Sequence, residues 1–315
     1  MIEFLSRRFA AALLTLALAT LLVFAVVEIL PGDPALVMLG TDARPDTLAA
    51  LRAKHGFDRP LGERYVSWIA GLLTGDLGAS HAYGTPVAKL INDRLHVTLP
   101  LGAMALSWAT LIAIPLGVYA AWRHNSAGDW GVMTFSQLGI SIPNFWFGIL
   151  LVLLFAVTLG WFPSGGFPGW KQDVGKSLHA LVLPALSLSL GEIAILARVT
   201  RSAMLDTLRE DYVRTARAKG AAEGAVLFRH ALRNALIPVT TVAGLIAGFL
   251  IGGAVIIESV FRLPGVGSLV YDSINNRDLI VIKNVTILFT ALVLAVNLLV
   301  DLAYAVLDPR PKVTA

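Results

Sequence analysis

The 315-residue chain contains no cysteine, and that absence removes disulfide frameworks and thiolate metal sites at once. Charge is also scarce. Asp, Glu, Lys and Arg supply 15% of the residues, against about 25% in an ordinary soluble domain. No H-E-x-x-H and no G-x-S-x-G occurs. The six histidines, His55, His81, His96, His124, His179 and His230, are scattered along the chain. Gly175-Lys176-Ser177 ends like a phosphate-binding loop, but that motif requires glycine at position 170, which is Trp170. The basic residues lie dispersed or beside apolar runs, so they build no nucleic-acid surface. What survives is a chain without a recognisable catalytic motif. An enzyme or receptor working inside a membrane stands as the rival reading.

Apolar sequence is what the chain has in quantity: 56% of residues are hydrophobic and the mean hydropathy is +0.73. Runs of about 20 apolar residues span a bilayer as helices, and the alternation expected of a membrane β-barrel is missing. The reading is an all-α integral membrane protein with six spans. The first, Phe9 to Leu30, follows Arg7 and Arg8. It is too long for a signal-peptide core and has no small-x-small cleavage pattern, so it is expected to be retained. The others are Leu99 to Ala121, Val132 to Leu159, Leu178 to Ala197, Pro238 to Glu258 and Asn284 to Leu307. Pro143 interrupts the third, which is long enough to tilt or to begin along the membrane surface.

Residues 31–97 form a long excursion between the first two spans. Pro45-Asp46 opens a helix there, Gly56 to Pro60 closes it, and Tyr65 to Leu73 is an apolar helix too short to cross. The chain reads as one membrane domain, residues 1–315, with no internal repeat.

Lys and Arg in short loops set the orientation. With the N-terminus inside, the inner segments hold thirteen, and the outer ones five once the long excursion is discounted. Both termini are thus expected in the cytoplasm. So is the basic segment 198–237, whose eight Lys/Arg face four Asp/Glu.

Four carboxylates interrupt the apolar runs, and such groups face other helices, water or a partner. Glu28 and Glu258 lie near the outer boundary and are expected to reach it. Glu192 and Asp301 lie nearer the inner side, where they either pair with Arg198 or Arg201 or line a path. Gly244, Gly248 and Gly252 fall at i, i+4 and i+8, a stripe that lets two helices approach closely. Pro115, Pro143 and Pro184 remove mid-span hydrogen bonds and favour kinks.

Between the fourth and fifth spans, Glu210 to Gly224 reads as a helix broken near Gly220. A second piece, Ala225 to Leu236, is expected to end before Pro238. Such a connector could dock a soluble partner, lie against anionic headgroups as an amphipathic helix, or be a solvated link.

Within it, ARAKG (Ala216 to Gly220) followed by RNALIP (Arg233 to Pro238) resembles the cytoplasmic EAA-type loop of permease subunits in ATP-binding-cassette importers. The resemblance is closest to the peptide/nickel permease family, and it covers nearly the whole chain. The motifs, in order, are PGDPA from Pro31, GFDRPL from Gly56, GDLG from Gly75, IPLG from Ile114 and SIPNFWFG from Ser141. LPAL from Leu183, GGAVIIESVF from Gly252, PGVG from Pro264 and DLAYAVLDPR from Asp301 follow. One departure stands out: where the general pattern has Glu-Ala-Ala, this chain has Arg214, Thr215 and Ala216. No role of the family's glutamate therefore carries over to Arg214.

The resemblance implies a type I importer fold in the bacterial inner membrane. It implies alternating access for di- or oligopeptides, or for a nickel chelate, glutathione or an opine-like solute. The partners implied are a second, homologous permease (a heterodimer), two ATPase subunits that hold the ATP and Mg, and an external solute-binding protein that meets the excursion. This chain itself would bind no cofactor or metal and hydrolyse nothing. Asp211 to Glu223 would be the helix seated on the ATPase. The docking residues on it are Asp211, Tyr212, Arg214, Thr215, Ala216, Arg217, Lys219, Gly220 and Glu223. Gly220 is expected there because a close backbone approach leaves no room for a side chain.

Overall fold

A computed structural model describes residues 2–29, 36, 44–56 and 58–307. The PGDPA motif and the end of DLAYAVLDPR lie outside the described residues. The described chain is helical, with a single isolated bridge between Ala79 and Pro86. Among the described residues, five helices are long and apolar enough to cross a membrane: α1 (Ser6–Ile29 of Ile2–Ile29), α4 (Val87–Trp122), α7 (Val174–Leu208), α9 (Glu223–Val260) and α11 (Leu279–Leu302 of Leu279–Leu307). A sixth span is made by a bent pair, α5 (Ala127–Ser141) and α6 (Asn144–Thr158), which meet at 101°. Shorter helices are α2 (Pro45–His55), α3 (Leu61–Thr74), α8 (Asp211–Ala218) and α10 (Val266–Asn275).

The third span is thus two pieces rather than one tilted helix. Pro143 disfavours helical backbone at the residue before it, and Ile142 accordingly lies extended at φ −87°, ψ 122°. Pro100, Pro115, Pro184 and Pro238 instead sit inside helices that continue through them. The second connector piece therefore does not stop before Pro238 but runs on into the fifth span. Helices also begin earlier than the apolar runs suggest. α4 claims the last residues of the excursion from Val87, and α7 continues eleven residues past Ala197. With 35 residues α7 is about 52 Å long, well beyond a hydrocarbon core of about 30 Å, so it projects from the bilayer.

α7 is the central post. It packs against α4, α5, α6 and α9, and most of its span is buried inside the bundle. Small residues make that possible. On α4, Ala105, Ala109, Ala113 and Gly117 recur every four residues, and all are buried. A Cβ at Gly117 would come within 2.5 Å of Thr200 Cβ and 2.7 Å of Ala197 O on α7. At Gly139 on α5 it would lie 3.0 Å from Ala194 Cβ. In lipid, where burial of apolar surface does not drive helix association, such close packing is what holds helices together.

α9 and α11 pack side by side, and the glycine stripe serves this contact unevenly. Gly244 lies against Val300 so closely that a methyl there would collide with it. Gly248 has ordinary room beside Val293, 3.5 Å away, and Gly252 faces open space. The close approach is therefore one glycine, not three. α1 packs against α11 and, through Thr20 and Phe24, against Tyr65 and Trp68 of α3, while its lipid-facing side is exposed, with Leu14 and Leu22 both over 60% accessible.

Candidate functional site

The connector between α7 and α9 is built from the end of α7 upward. α7 stops at Leu208, the chain turns through Arg209 and Glu210, and α8 begins at Asp211. Asp211 in the first turn and Arg217 in the last complement the helix dipole. Arg214 makes an exposed i,i+3 pair with Asp211 at 3.4 Å, and Thr215 Oγ1 donates to Asp211 O at 2.9 Å. Val213 is fully buried and anchors the underside of the helix.

α8 ends in a Schellman motif. Gly220 N donates to Arg217 O at 2.9 Å, and Ala221 N donates to Ala216 O at 3.1 Å. Gly220 is the left-handed residue this motif needs, at φ +82°. A Cβ there would meet nothing within 4 Å. Gly220 is therefore explained by backbone conformation; the expected close approach is not made within this chain. The helix also stops at Ala218, so Lys219 to Glu223 is turn and next-helix start rather than docking helix.

Two clasps fix α8 to α9. Arg217 binds Glu223 in a forked pair, Nη2 to Oε1 at 2.7 Å and Nε to Oε2 at 3.2 Å. The carboxylate keeps the Arg217 guanidinium charged to higher pH than usual. Tyr212 Oη accepts from Asn234 Nδ2 at 2.6 Å and donates to His230 O at 3.3 Å. The surface left facing outward carries Asp211, Arg214, Thr215 and Lys219, with Phe228 beside it 64% exposed. Such a short charged helix, rigidly held between two long ones, can receive a partner and pass displacement to both. It holds no catalytic arrangement. Among the described residues no group of three or more His, Asp or Glu could hold a metal ion.

Residues 113–313 match the family of binding-protein-dependent transport system inner membrane components, and residues 1–102 match that system's membrane-component N-terminal family. The chain belongs to this family. It is the integral membrane permease of a binding-protein-dependent importer, with the type I fold, and its work is transport.

Its relatives match end to end. A putative peptide transport system permease of Brucella abortus is 42% identical over 97% of this chain and 98% of its own. The oligopeptide transport system permease AppB of Bacillus subtilis is 42% identical over 92% of this chain and 93% of its own. The di/tripeptide transport system permease DppB of Pseudomonas aeruginosa is 41% identical over 98% of both.

Away from the connector, the permease places its carboxylates differently from expectation. Asp301 pairs with Arg8 at 3.4 Å rather than with Arg198 or Arg201. Arg198 donates to Gln137 at 3.0 Å, and Arg201 grips buried Asp129 through Nε at 2.5 Å and Nη2 at 2.6 Å. Glu192 consequently has neither arginine, and its buried Oε2 has no hydrogen-bond partner. Glu28 takes Arg64 at 2.7 Å.

Glu258 does not reach water; it is fully buried. Thr98 Oγ1 donates to it at 2.6 Å and Ser268 N at 3.0 Å, while Val266 N donates to Thr98 Oγ1 at 2.8 Å. Sequence reasoning also passed over Asp129 and Asp278. Ser126-Ala-Gly-Asp129 has the Ser-x-x-Asp form that opens helices, a signal available from the sequence. Asp278 accepts from Ser80 Oγ at 2.5 Å, His81 N at 3.0 Å and Val281 N at 3.3 Å. It joins two segments whose nearness no local pattern reveals.

Proposed function

We propose that this permease is half of a paired translocation path for di- or oligopeptides. The other half is a second, homologous permease. Two ATPase subunits holding ATP and Mg dock on α8 from the cytoplasm, where both termini also lie, and an external solute-binding protein delivers substrate to the far end. The charge count in the loops supports the orientation. The names of the Bacillus and Pseudomonas relatives support the substrate class.

The observation that carries the reading is the double clasp on α8. A push on its exposed face reaches α9 through Glu223 and Asn234, and reaches the buried post α7 through the short Arg209-Glu210 turn. Closing of the ATPase pair on ATP thus becomes movement of two spans, which is the coupling an alternating-access importer needs. Glu192, whose buried Oε2 has no hydrogen-bond partner, is assigned to the path these spans line.

The test is Arg214→Glu together with Lys219→Glu in the chain expressed with its neighbouring transport genes. The folded permease is expected to be unchanged, since both side chains are exposed. ATPase co-purification and ATP-driven uptake of a labelled tripeptide are expected to fall together by about tenfold or more, the factor of about 1.4 kcal/mol in docking. Full uptake with both reversals in place overturns the docking assignment. Intact ATPase binding with no peptide uptake by the unaltered transporter overturns the substrate assignment alone.

A further inference from the structure

A cavity of about 510 Å³ lies far from α8, between α1, α3 and the start of α11. Its depth follows from connectivity: α9 and α11 meet at Gly244 and Val300 near the connector, so the start of α11 lies at the opposite end. Among its lining residues are Glu28, Arg59, Arg64, Trp68, Asp76 and Lys283. Three are cations and two are anions.

The anions are engaged. Glu28 takes Arg64, and Asp76 Oδ1 accepts from Gly78 N at 3.1 Å. Lys283 is different. Its ammonium lies 5.0 Å from the Trp68 ring centroid and, among the described residues, forms no ion pair. Trp68 is held in place by Nε1 donating to Asn284 Oδ1 at 2.9 Å and by stacking on Phe24 at 6.0 Å. A cation–π contact satisfies none of the three ammonium donors. They are available to an oxyanion entering the cavity, and so is the guanidinium of Arg59 at its exposed edge.

The surroundings say where that oxyanion comes from. Trp68, Tyr65 and Phe24 form an aromatic cluster beside basic residues, the composition of a membrane–water boundary. α3 is too short to cross; it buries Trp68 inward and leaves Val66 and Leu73 at 66% and 84% exposure. That is the build of a helix lying in the interface. On α1, Leu18, Leu22, Val26 and Ile29 are all at least half exposed. Their spacing draws an apolar stripe along the span up to the turn that bears Glu28.

We infer that the cavity is a phospholipid site, in which an anionic headgroup places its phosphate on Lys283 and Arg59 while its acyl chains follow the Leu18–Ile29 stripe. The lipid thereby bridges α1, the interfacial α3 and α11. This does not depend on the substrate or on the ATPase contact.

The complete transporter, extracted in mild detergent with equal phosphatidylglycerol and phosphatidylcholine of matched chains, is examined by native mass spectrometry. Phosphatidylglycerol is expected to be retained on this permease in preference to phosphatidylcholine. Arg59→Ala and Lys283→Met are each expected to lower that retention about fivefold, the factor for one interfacial cation. Lys283→Arg should keep it, and Lys171→Ala, in a different loop, should leave it untouched. Arg59 is exposed, so its variant separates lipid loss from misfolding. Equal retention of the two lipids, or retention unchanged in both loss variants, overturns the proposal. So does displacement of the lipid by excess inorganic phosphate, which would make this a site for the free ion.

Discussion

The end of the bundle away from α8 and the connector helix α8 itself are held by different kinds of bond. At the end away from α8, polar side chains reach across great lengths of sequence. Glu258 joins α9 to Thr98 on α4 and to the start of α10; Asp278 joins the start of α11 to Ser80; Trp68 on α3 meets Asn284 on α11. At the connector, α8 is bonded to near neighbours only. Its ties run from Arg217 to Glu223 and from Tyr212 to Asn234, both within the same stretch of chain. The far end is thus stitched across the fold, while the connector is stitched to itself and hinged on α7 and α9. A machine driven from one side needs this asymmetry. The driven part moves as a unit, and the opposite part keeps the helices in register while it does so.

If that contrast is right, damage at the far end costs stability first and damage at the connector costs coupling first. The largest effect belongs to Glu258→Ala. It removes the acceptor of the buried donors Thr98 Oγ1 and Ser268 N, and each buried donor left unpaired costs about 1–3 kcal/mol. The expected loss is about 3 kcal/mol, read as a lowered thermal midpoint in detergent and reduced abundance in the membrane. Asp301→Ala, which releases the half-exposed Arg8, should cost much less. Equal costs for the two would erase the distinction between a fully buried carboxylate and one paired at the solvated surface.

Next in size is the glycine stripe. Gly244→Ala forces a methyl into Val300, and overpacking of this kind costs about 1–3 kcal/mol. Gly248→Ala meets only ordinary contact, and Gly252→Ala meets nothing, so both should be near neutral. The thermal midpoints of the three single variants give the check. Three equal losses would restore the reading in which the whole stripe is packed against a neighbour.

Much of this was legible beforehand. Six apolar stretches, a long excursion with a helix too short to cross, and a connector helix broken near Gly220 follow from hydropathy and from glycine and proline chemistry. The ARAKG motif of that series falls on the stretch that forms the end of α8 and the turn after it. What the sequence withheld was three-dimensional pairing. Glu258 sits at the outer boundary by counting, yet the turn at Pro264–Gly267 folds back and encloses it, and no periodicity reports that. Arg201 looked available to Glu192 because both lie on α7, but Asp129 on α5 reaches it first. The break at Pro143 was visible and its 101° angle was not, since the angle depends on how α6 packs against α7.

Gly220 tests the connector's side of the comparison most finely, because two substitutions separate two causes. Any L-residue there must adopt φ near +82°, which costs about 1–2 kcal/mol whatever its size. Within this chain nothing lies within 4 Å of a Cβ at that position, so alanine and tryptophan should lower the thermal midpoint of the isolated permease alike. In the assembled transporter the two should part. Gly220→Ala is expected to keep its ATPase subunits, whereas Gly220→Trp projects a large ring from the turn beside the proposed docking face and should lose them. The two variants are compared by midpoint alone and by ATPase recovery on co-purification. If tryptophan binds the ATPase as well as alanine does, no partner presses on this turn, and docking is confined to the Asp211–Thr215 side of α8. If alanine already releases the ATPase, the Schellman turn itself, rather than the space around it, sets the angle at which α8 is presented.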